Sequence, residues 1–451
     1  MKASWWKQGL YQILFTLGFL IAAPSYVTKM VRRGKSGRGF GQRFGVYGLK
    51  TRKRLEACRG GLWIHAVSVG EVNLAVLLIK EIQQHWPQVP LVLSVTTPTG
   101  QAVALKQIPK EVVIVFNPLD FLGSVKSFFR LLQPRLLILV ESEIWPNYFW
   151  EAGRKGIPIV LVNARLSQKT EMRYHRWAWF CRPFLEQLQL VCAQCEEDRE
   201  RFIKLGVKPE RVIVTGSMKY DVSKIEIPDN SETRKILYQA GWNEGEPIFL
   251  AGSTHRGEEL ITARVFRTLI KQFPNLFFVL APRHAERGGE ISRLLKGLGL
   301  EHKRRTKLKQ PRYEKNRVLL LDSTGELKHF YSFSSATFIG KSLKGRGGQN
   351  FLEAVQAGCP VIFGPHMENF AIIARDFLQN ESVKEVKNEV DLEKIVALFL
   401  NSPSERRVFT RKALTLFQER LGATKRTFSI IEREAKLEKV LEKRDFAPEV
   451  V

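Results

Sequence analysis

The chain has 451 residues, more than one ordinary domain, so two packed units of roughly 200 residues are expected and a small disulfide- or zinc-held scaffold is excluded. With 44% hydrophobic and 26% charged residues it is a globular chain and not a disordered one. Its 71 Lys and Arg against 45 Asp and Glu leave a net charge of +26, which asks for an anionic partner: nucleic acid, acidic lipid or a phosphorylated substrate.

The excess is concentrated at the start. Residues 1–60 carry 13 Lys or Arg against the single Glu56. Within them Gly9 to Val27 is a run of 19 uncharged residues, which at a rise of about 1.5 Å per residue approaches the thickness of a bilayer core. Trp5, Trp6, Tyr11 and Tyr26 lie near its ends, and Lys29, Arg32, Arg33, Lys35, Arg38 and Arg43 follow it, the pattern of a membrane anchor over residues 1–30 with the rest of the chain on the cytoplasmic side. A cleaved signal peptide, a buried core helix and a helix lying in the interface are the competing readings. Removal of residues 1–29 is expected to leave the remaining fold intact.

From Gly61 the pattern becomes apolar runs alternating with amphipathic segments. Leu62–Gly70, Val89–Gly100, Glu111–Asp120, Pro134–Glu143, Ile157–Ser167, Leu188–Gln194 and Arg211–Gly216 read as buried strands. Glu71 to His85, Phe121 to Leu132 and Glu196 to Leu205 read as helices between them. After a polar stretch near residues 222–233 the alternation restarts, with strands in Pro247–Ser253, Leu276–His284, Val318–Glu326, Ala336–Ser342 and Pro360–His366. Alternation of this kind specifies parallel sheets. The expected class is α/β, with two doubly wound Rossmann-like domains at residues 31–230 and 231–425 and a charged helical tail at 426–451 that packs back on the first. Ligands bind beyond the carboxyl ends of such strands, so the cleft between domains is the expected site.

Five scattered cysteines, including Cys192 and Cys195 in a lone C-x-x-C, read as core thiols of a reducing compartment. There is no Walker loop, dinucleotide fingerprint, HExxH, zinc spacing or D-x-D motif. No cofactor and no metal are expected, and cationic side chains must meet the phosphate charge.

Chemistry-bearing residues gather at the strand ends. In HAVSVGEV a strand ends at Ser68, Gly70 permits a tight turn and Glu71 opens a helix. Glu71 is either an ordinary helix N-terminal charge or a working carboxylate. In ESEIWPN, Glu141 and Glu143 share one side of an extended strand end by period-two spacing, and Pro146 stops the element. VTGSMKYD supplies Lys219, LAPRHAER supplies Arg283, His284 and Arg287, and STGEL supplies Thr324, Gly325 and Glu326. Each alone is a weak signal.

Taken in order, HAVSVGE, TTPTG, ESEIWPN, NARLS, TGSMKYD, GSTHRGEE, PRHAER, STGEL, GGQNFLE and GPHMENF resemble the 3-deoxy-D-manno-octulosonic acid (Kdo) transferases, from the N-terminus to about residue 380. The resemblance implies a GT-B glycosyltransferase, inverting and metal-independent, that moves Kdo from CMP-Kdo to the lipid A precursor at the bacterial inner membrane. It makes Glu71 the base, assigns the assisting carboxylate to the Glu141/Glu143 pair, with Glu141 preferred, and assigns the assisting cation to Lys219. It places the CMP contacts at Arg283 and His284, at Thr324, Gly325 and Glu326, and at Asn350, Phe351, Leu352 and Glu353.

The chemistry asks for such groups. A carboxylate takes the proton of the attacking hydroxyl. Another offsets positive charge on the sugar, the role expected of Glu141. Lys219, Arg283 and the backbone amides of the GRGGQN turn face the departing phosphate. Arg165 in NARLS is a candidate for the donor carboxylate. The chain departs from the family at GGQN, where Gln349 stands for the usual histidine, and at Glu353 to Val355, where EAV replaces EPA. The competing classes are another membrane-associated GT-B enzyme with a different nucleotide sugar, and a non-enzymatic basic binder of lipid or nucleic acid. The basic run at 303–312 (KRRTKLKQPR) has no interleaved aromatics, which argues against nucleic acid and for a solvated loop.

Overall fold

The structure is a computed structural model that describes residues 5–32, 39–223, 230–308 and 317–435. The chain folds as two compact units, one of residues 1–222 together with 422–451, the other of residues 223–421.

The first unit holds strands β1 (Leu62–Ala66), β2 (Leu91–Val95), β3 (Val113–Phe116), β4 (Leu136–Val140), β5 (Ile159–Ala164), β6 (Leu188–Ala193) and β7 (Val212–Val214). They form one sheet in the order β3-β2-β1-β4-β5-β6-β7, parallel throughout. Apolar side chains on both faces of each central strand explain this, since helices must then cover both sides. On one face Leu62, Ile64 and Leu93 pack with the helix Val69–His85 and with Ala423, Phe428 and Ile431 of the returning helix Ala423–Glu434. On the other, Trp63 sits among Phe128, Phe129 and Tyr148. His65 is a core residue whose imidazole burial pushes down to about 4, hydrogen-bonded to Ser94 Oγ at 2.8 Å.

The second unit holds β8 (Ile248–Thr254), β9 (Phe277–Pro282), β10 (Lys303–Arg304), β11 (Val318–Leu320), β12 (Ala336–Ile339), β13 (Val361–Phe363) and β14 (Lys384–Glu385). Their order is β10-β11-β9-β8-β12-β13-β14, again parallel. The edge strands β10 and β14 escape sequence reading because they are two residues long and charged, as exposed sheet edges commonly are. Part of the basic run is therefore not a solvated loop: Arg304 Nε reaches buried Asp322 at 2.6 Å and Arg305 reaches Glu326 at 2.8 Å. Residues 309–312 of that run lie outside the described residues.

The N-terminal segment corrects an expectation. Among the described residues no helix is long and apolar enough to cross a membrane. Trp5–Arg32 is instead an amphipathic helix laid against the first unit. Its polar groups are used sideways. Gln8 donates to Asn147 at 3.1 Å, Tyr11 donates to Asp120 at 2.6 Å, and Gln12 accepts the Leu122 amide at 3.2 Å. Phe15 and Phe19 meet Phe121 edge-on at 5.0 and 5.2 Å. Cutting the chain at residue 29 would strand Asp120 and Asn147 in an opened core, so that truncation is expected to destabilise the first unit. On the other side Ile13, Leu14, Leu17, Leu20 and Ile21 stand 53–82% exposed. Arg33, Lys35 and Arg38 lie outside the described residues.

Candidate active site

In both sheets the strand order reverses beside the first strand, between β1 and β4 in one unit and between β8 and β12 in the other. Loops diverge at such a switch point and leave room at the carboxyl ends. The backbone is strained there. Glu141 after β4, Asn163 in β5, Ser253 in β8 and Lys341 after β12 all have left-handed φ, between 50° and 65°, a conformation costing a non-glycine residue about 1–3 kcal/mol and concentrated at functional sites.

In the first unit Ser68 ends β1 and caps the helix Val69–His85. Its Oγ accepts the Glu71 amide at 3.3 Å, while the Glu71 carboxylate accepts the amides of Val67 at 2.8 Å and Ser68 at 3.3 Å. The helix-charge reading of Glu71 is thus locally correct, as the reciprocal member of a capping box. Burial nonetheless holds its carboxyl above the usual range, and the charge of Glu141 adds to this against the pull of the amides. Gly70 makes no turn; it lies inside the helix.

Glu141 and Glu143 reach the site differently from the extended strand end that period two implies. β4 stops at Val140, and the left-handed turn at Glu141 breaks the alternation. Pro146 begins a helix, Pro146–Lys155, rather than merely stopping a strand. The turn aims Glu141 at Lys219 Nζ, 2.9 Å away, and at Arg165 Nε, 3.9 Å away. Glu143 accepts from Trp145 Nε1 at 3.0 Å, and burial, reinforced by the charge of Glu71, pushes it up to about 7. Lys219 opens the short helix Lys219–Val222. The preceding amide, of Met218, donates to Asn163 Oδ1 at 2.9 Å. Asp221 of the same motif accepts the amides of Gly422 at 2.7 Å and Thr424 at 2.6 Å, so it caps the returning helix. Glu71, Glu141, Glu143, Lys219 and Arg165 thus share one electrostatic neighbourhood.

In the second unit Arg283 is exposed at the end of β9, its amide donating to Thr254 O at 3.0 Å. His284 stands edge-on to His255 with centroids 5.6 Å apart, and His255 Nε2 lies 3.2 Å from Gln349 Nε2. Burial pushes His255 down, which suits an unprotonated ring nitrogen accepting the Gln349 amide. Asn350 donates to Glu353 at 3.2 Å and to Ser223 at 3.1 Å, and accepts the Leu352 amide at 3.1 Å. Burial raises Glu353, opposed by Asn350 and then by the charges of Lys328 and Arg283.

Other expectations for this unit change. Phe351 and Leu352 are fully buried, Phe351 packing on Phe363 and Phe377, so their side chains belong to the core. Thr324 and Gly325 are exposed in the turn after β11, but Glu326 is engaged within that turn by Arg305 and by the Ser323 hydroxyl. Arg287 is likewise held by Glu259 and Glu290. The Gly347 amide donates to Glu368 and that of Gly348 to Lys341 O, so these GRGGQN amides are already used. Among the described residues no cluster of three or more His, Cys, Asp and Glu could hold a metal ion.

Sequence reasoning passed over His255 and Glu258. The signal was in GSTHRGEE, a strand end followed by a glutamate opening a helix, as in HAVSVGE.

Residues 38–222 match the family described as 3-deoxy-D-manno-octulosonic-acid transferase (kdotransferase). The 3-deoxy-D-manno-octulosonic acid transferase of Haemophilus influenzae is 34% identical over 86% of this chain and 90% of its own length. That of Bordetella pertussis is 30% identical over 93% and 98%. A glycosyltransferase structure from Rickettsia africae shares the fold, with a TM-score of 0.57 at 10% identity over 86% of this chain and all of its own.

Proposed function

The chain belongs to the Kdo transferases, glycosyltransferases of lipopolysaccharide synthesis, and from that premise we propose that it moves Kdo from CMP-Kdo to a hydroxyl of the lipid A precursor with inversion. The bond between the anomeric carbon and the phosphate oxygen of CMP breaks, the hydroxyl oxygen bonds to that carbon, and Glu71 takes its proton. CMP leaves with the bonding pair. The observation that carries this reading is the grouping of Glu71, Glu141, Glu143, Lys219 and Arg165 at one switch point.

Pairing with two cations argues against Glu141 as the group that offsets sugar charge. We assign it to orienting Lys219 toward the leaving phosphate and Arg165 toward the donor carboxylate. Arg283, Asn350 and Glu353 of the second unit hold CMP. Mass analysis of the product formed from CMP-Kdo and tetra-acylated lipid A precursor tests donor, acceptor and number of additions together. CMP release without a heavier lipid product would overturn the acceptor assignment.

For attachment at the inner membrane, the support is the ridge of Leu14, Leu17 and Ile21 on the N-terminal helix. It continues into exposed Trp6, stacked on Trp179 with centroids 6.2 Å apart. An apolar ridge followed in sequence by a basic segment suits insertion into an anionic interface. The Leu17→Glu/Ile21→Glu variant should lose binding to anionic vesicles by about 10-fold or more with an unchanged melting temperature. Undiminished sedimentation with vesicles would show that the ridge is not the contact.

A further inference from the structure

Glu258 is the topological counterpart of Glu71. Each opens the helix that follows the first strand of its sheet, but Glu258 has no exposed surface. One of its oxygens accepts the amides of His255 at 2.8 Å and Lys341 at 2.7 Å. The other accepts those of Ser342, Leu343 and Lys344 at 3.0, 3.0 and 3.3 Å. Five backbone N–H groups around one carboxylate form the kind of nest that elsewhere binds an anion. Here the anion is the protein's own.

The nest closes the path from β12 to Asn350. Gly340 lets the two chain segments meet, since a Cβ there would lie 2.4 Å from Ser253 O. Lys341 takes the left-handed turn with φ of 57°, and its carbonyl then accepts the Gly348 amide at 2.9 Å. A second carboxylate, Glu368, accepts the Gly347 amide at 2.6 Å. Just beyond these two fastenings the chain delivers Gln349 to His255 and Asn350 to Glu353. Glu258 also fixes the His255 amide, so one carboxylate sets both sides of the Gln349–His255 contact.

We infer that Glu258 is a positioning residue for the donor site, an internal anion that fixes the 341–350 turn so that Gln349, Asn350 and His255 are set for the nucleotide. It follows that the amides of 341–344, 347 and 348 do not carry the donor phosphate, whose charge falls to side chains, Arg283 among them. This rests on the reading of the second unit as the CMP site, and the experiment separates the two.

CMP binding is measured by calorimetry on the full-length protein for wild type and for Arg283→Ala, Glu258→Gln and Glu368→Ala, with steady-state kinetics for each. Glutamine at 258 turns an NH2 group toward amides that need an acceptor, so CMP affinity should fall by about 10-fold or more. Donor KM should rise in step, while acceptor KM stays at the wild-type value and kcat changes little. Glu368 is more than half exposed in its side chain, so Glu368→Ala should fold normally and weaken CMP by about 3-fold as the Gly347 amide loses its acceptor and His366 loses its neighbour at 3.6 Å. Folded Glu258→Gln binding CMP like wild type overturns the inference. So does wild-type affinity in Glu368→Ala if Glu258→Gln does not fold. Unchanged CMP affinity in Arg283→Ala would instead overturn the donor reading itself.

Discussion

Glu71→Gln should lower kcat by about 10²- to 10⁴-fold, the range expected when a positioned general base is removed, and leave CMP affinity at the wild-type value. Glutamine is the informative choice because its carbonyl can still complete a capping box, so the helix Val69–His85 keeps its N-terminus; the NH2 then faces one of the two amides that Glu71 accepts, and stability should fall by about 1–3 kcal/mol while the protein stays folded. What disappears is the capacity to accept a proton. Wild-type transfer by this variant would mean that the side chain is a cap only and that the base lies elsewhere.

The same carboxylate is expected to set the pH profile. Burial, with Glu141 adding, raises Glu71 above the ordinary carboxylate range, and a general base works only when deprotonated. The acidic limb of kcat should therefore lie above the position an unperturbed glutamate would give. Replacing Glu141 by glutamine removes a negative neighbour and lets Glu71 ionise more readily, moving the limb to lower pH. A limb that stays in place or moves upward would identify a different titrating group.

Lys219→Met should cost about 10²- to 10³-fold in kcat, the loss typical when a preorganised charge is withdrawn from a developing anion. The ammonium group stands 2.9 Å from Glu141 in a site where both side chains are 17% exposed, so screening by water is limited. If Glu141 serves to hold Lys219, then Glu141→Gln should cost less than Lys219→Met, and the double variant should cost no more than Lys219→Met alone. Such non-additivity marks residues acting as one unit. Additive losses would give Glu141 a role of its own, and an unchanged kcat in Lys219→Met would remove the lysine from the chemistry.

All strands but the two-residue edges β10 and β14 were legible because buried parallel strands are continuous apolar runs, and Glu71 because it follows one of them at a helix start. The N-terminal helix was misjudged for a physical reason. An uncharged run of 19 residues has bilayer length, yet Gln8, Tyr11, Gln12, Phe15 and Phe19 recur at helical spacing and form the docking face. Hydropathy averages over faces and does not see that seam. Phe351 and Leu352 entered the expected site through the family resemblance, as part of the stretch Asn350 to Glu353, although their side chains are buried in the core.

Composition, apolar periodicity and the order of motifs were enough to specify two doubly wound parallel sheets, and with them the strand ends at which Glu71, Glu141, Lys219 and Arg283 stand. Those properties are local, because each follows from a short stretch of chain and its burial. Only the tertiary structure decided which charge meets which: that Glu141 pairs with Lys219 and Arg165 across three strand ends, that Glu326 belongs to Arg305, and that Glu258 is enclosed by five amides while Glu71 faces other carboxylates. A glutamate opening a helix after a strand reads the same in either place. Each accepts local amides as well, but the neighbours that tell the two apart, Glu141 for Glu71 and residues 341–344 for Glu258, lie 70 or more positions away, and their approach is set by sheet order and by left-handed turns that sequence spacing does not encode.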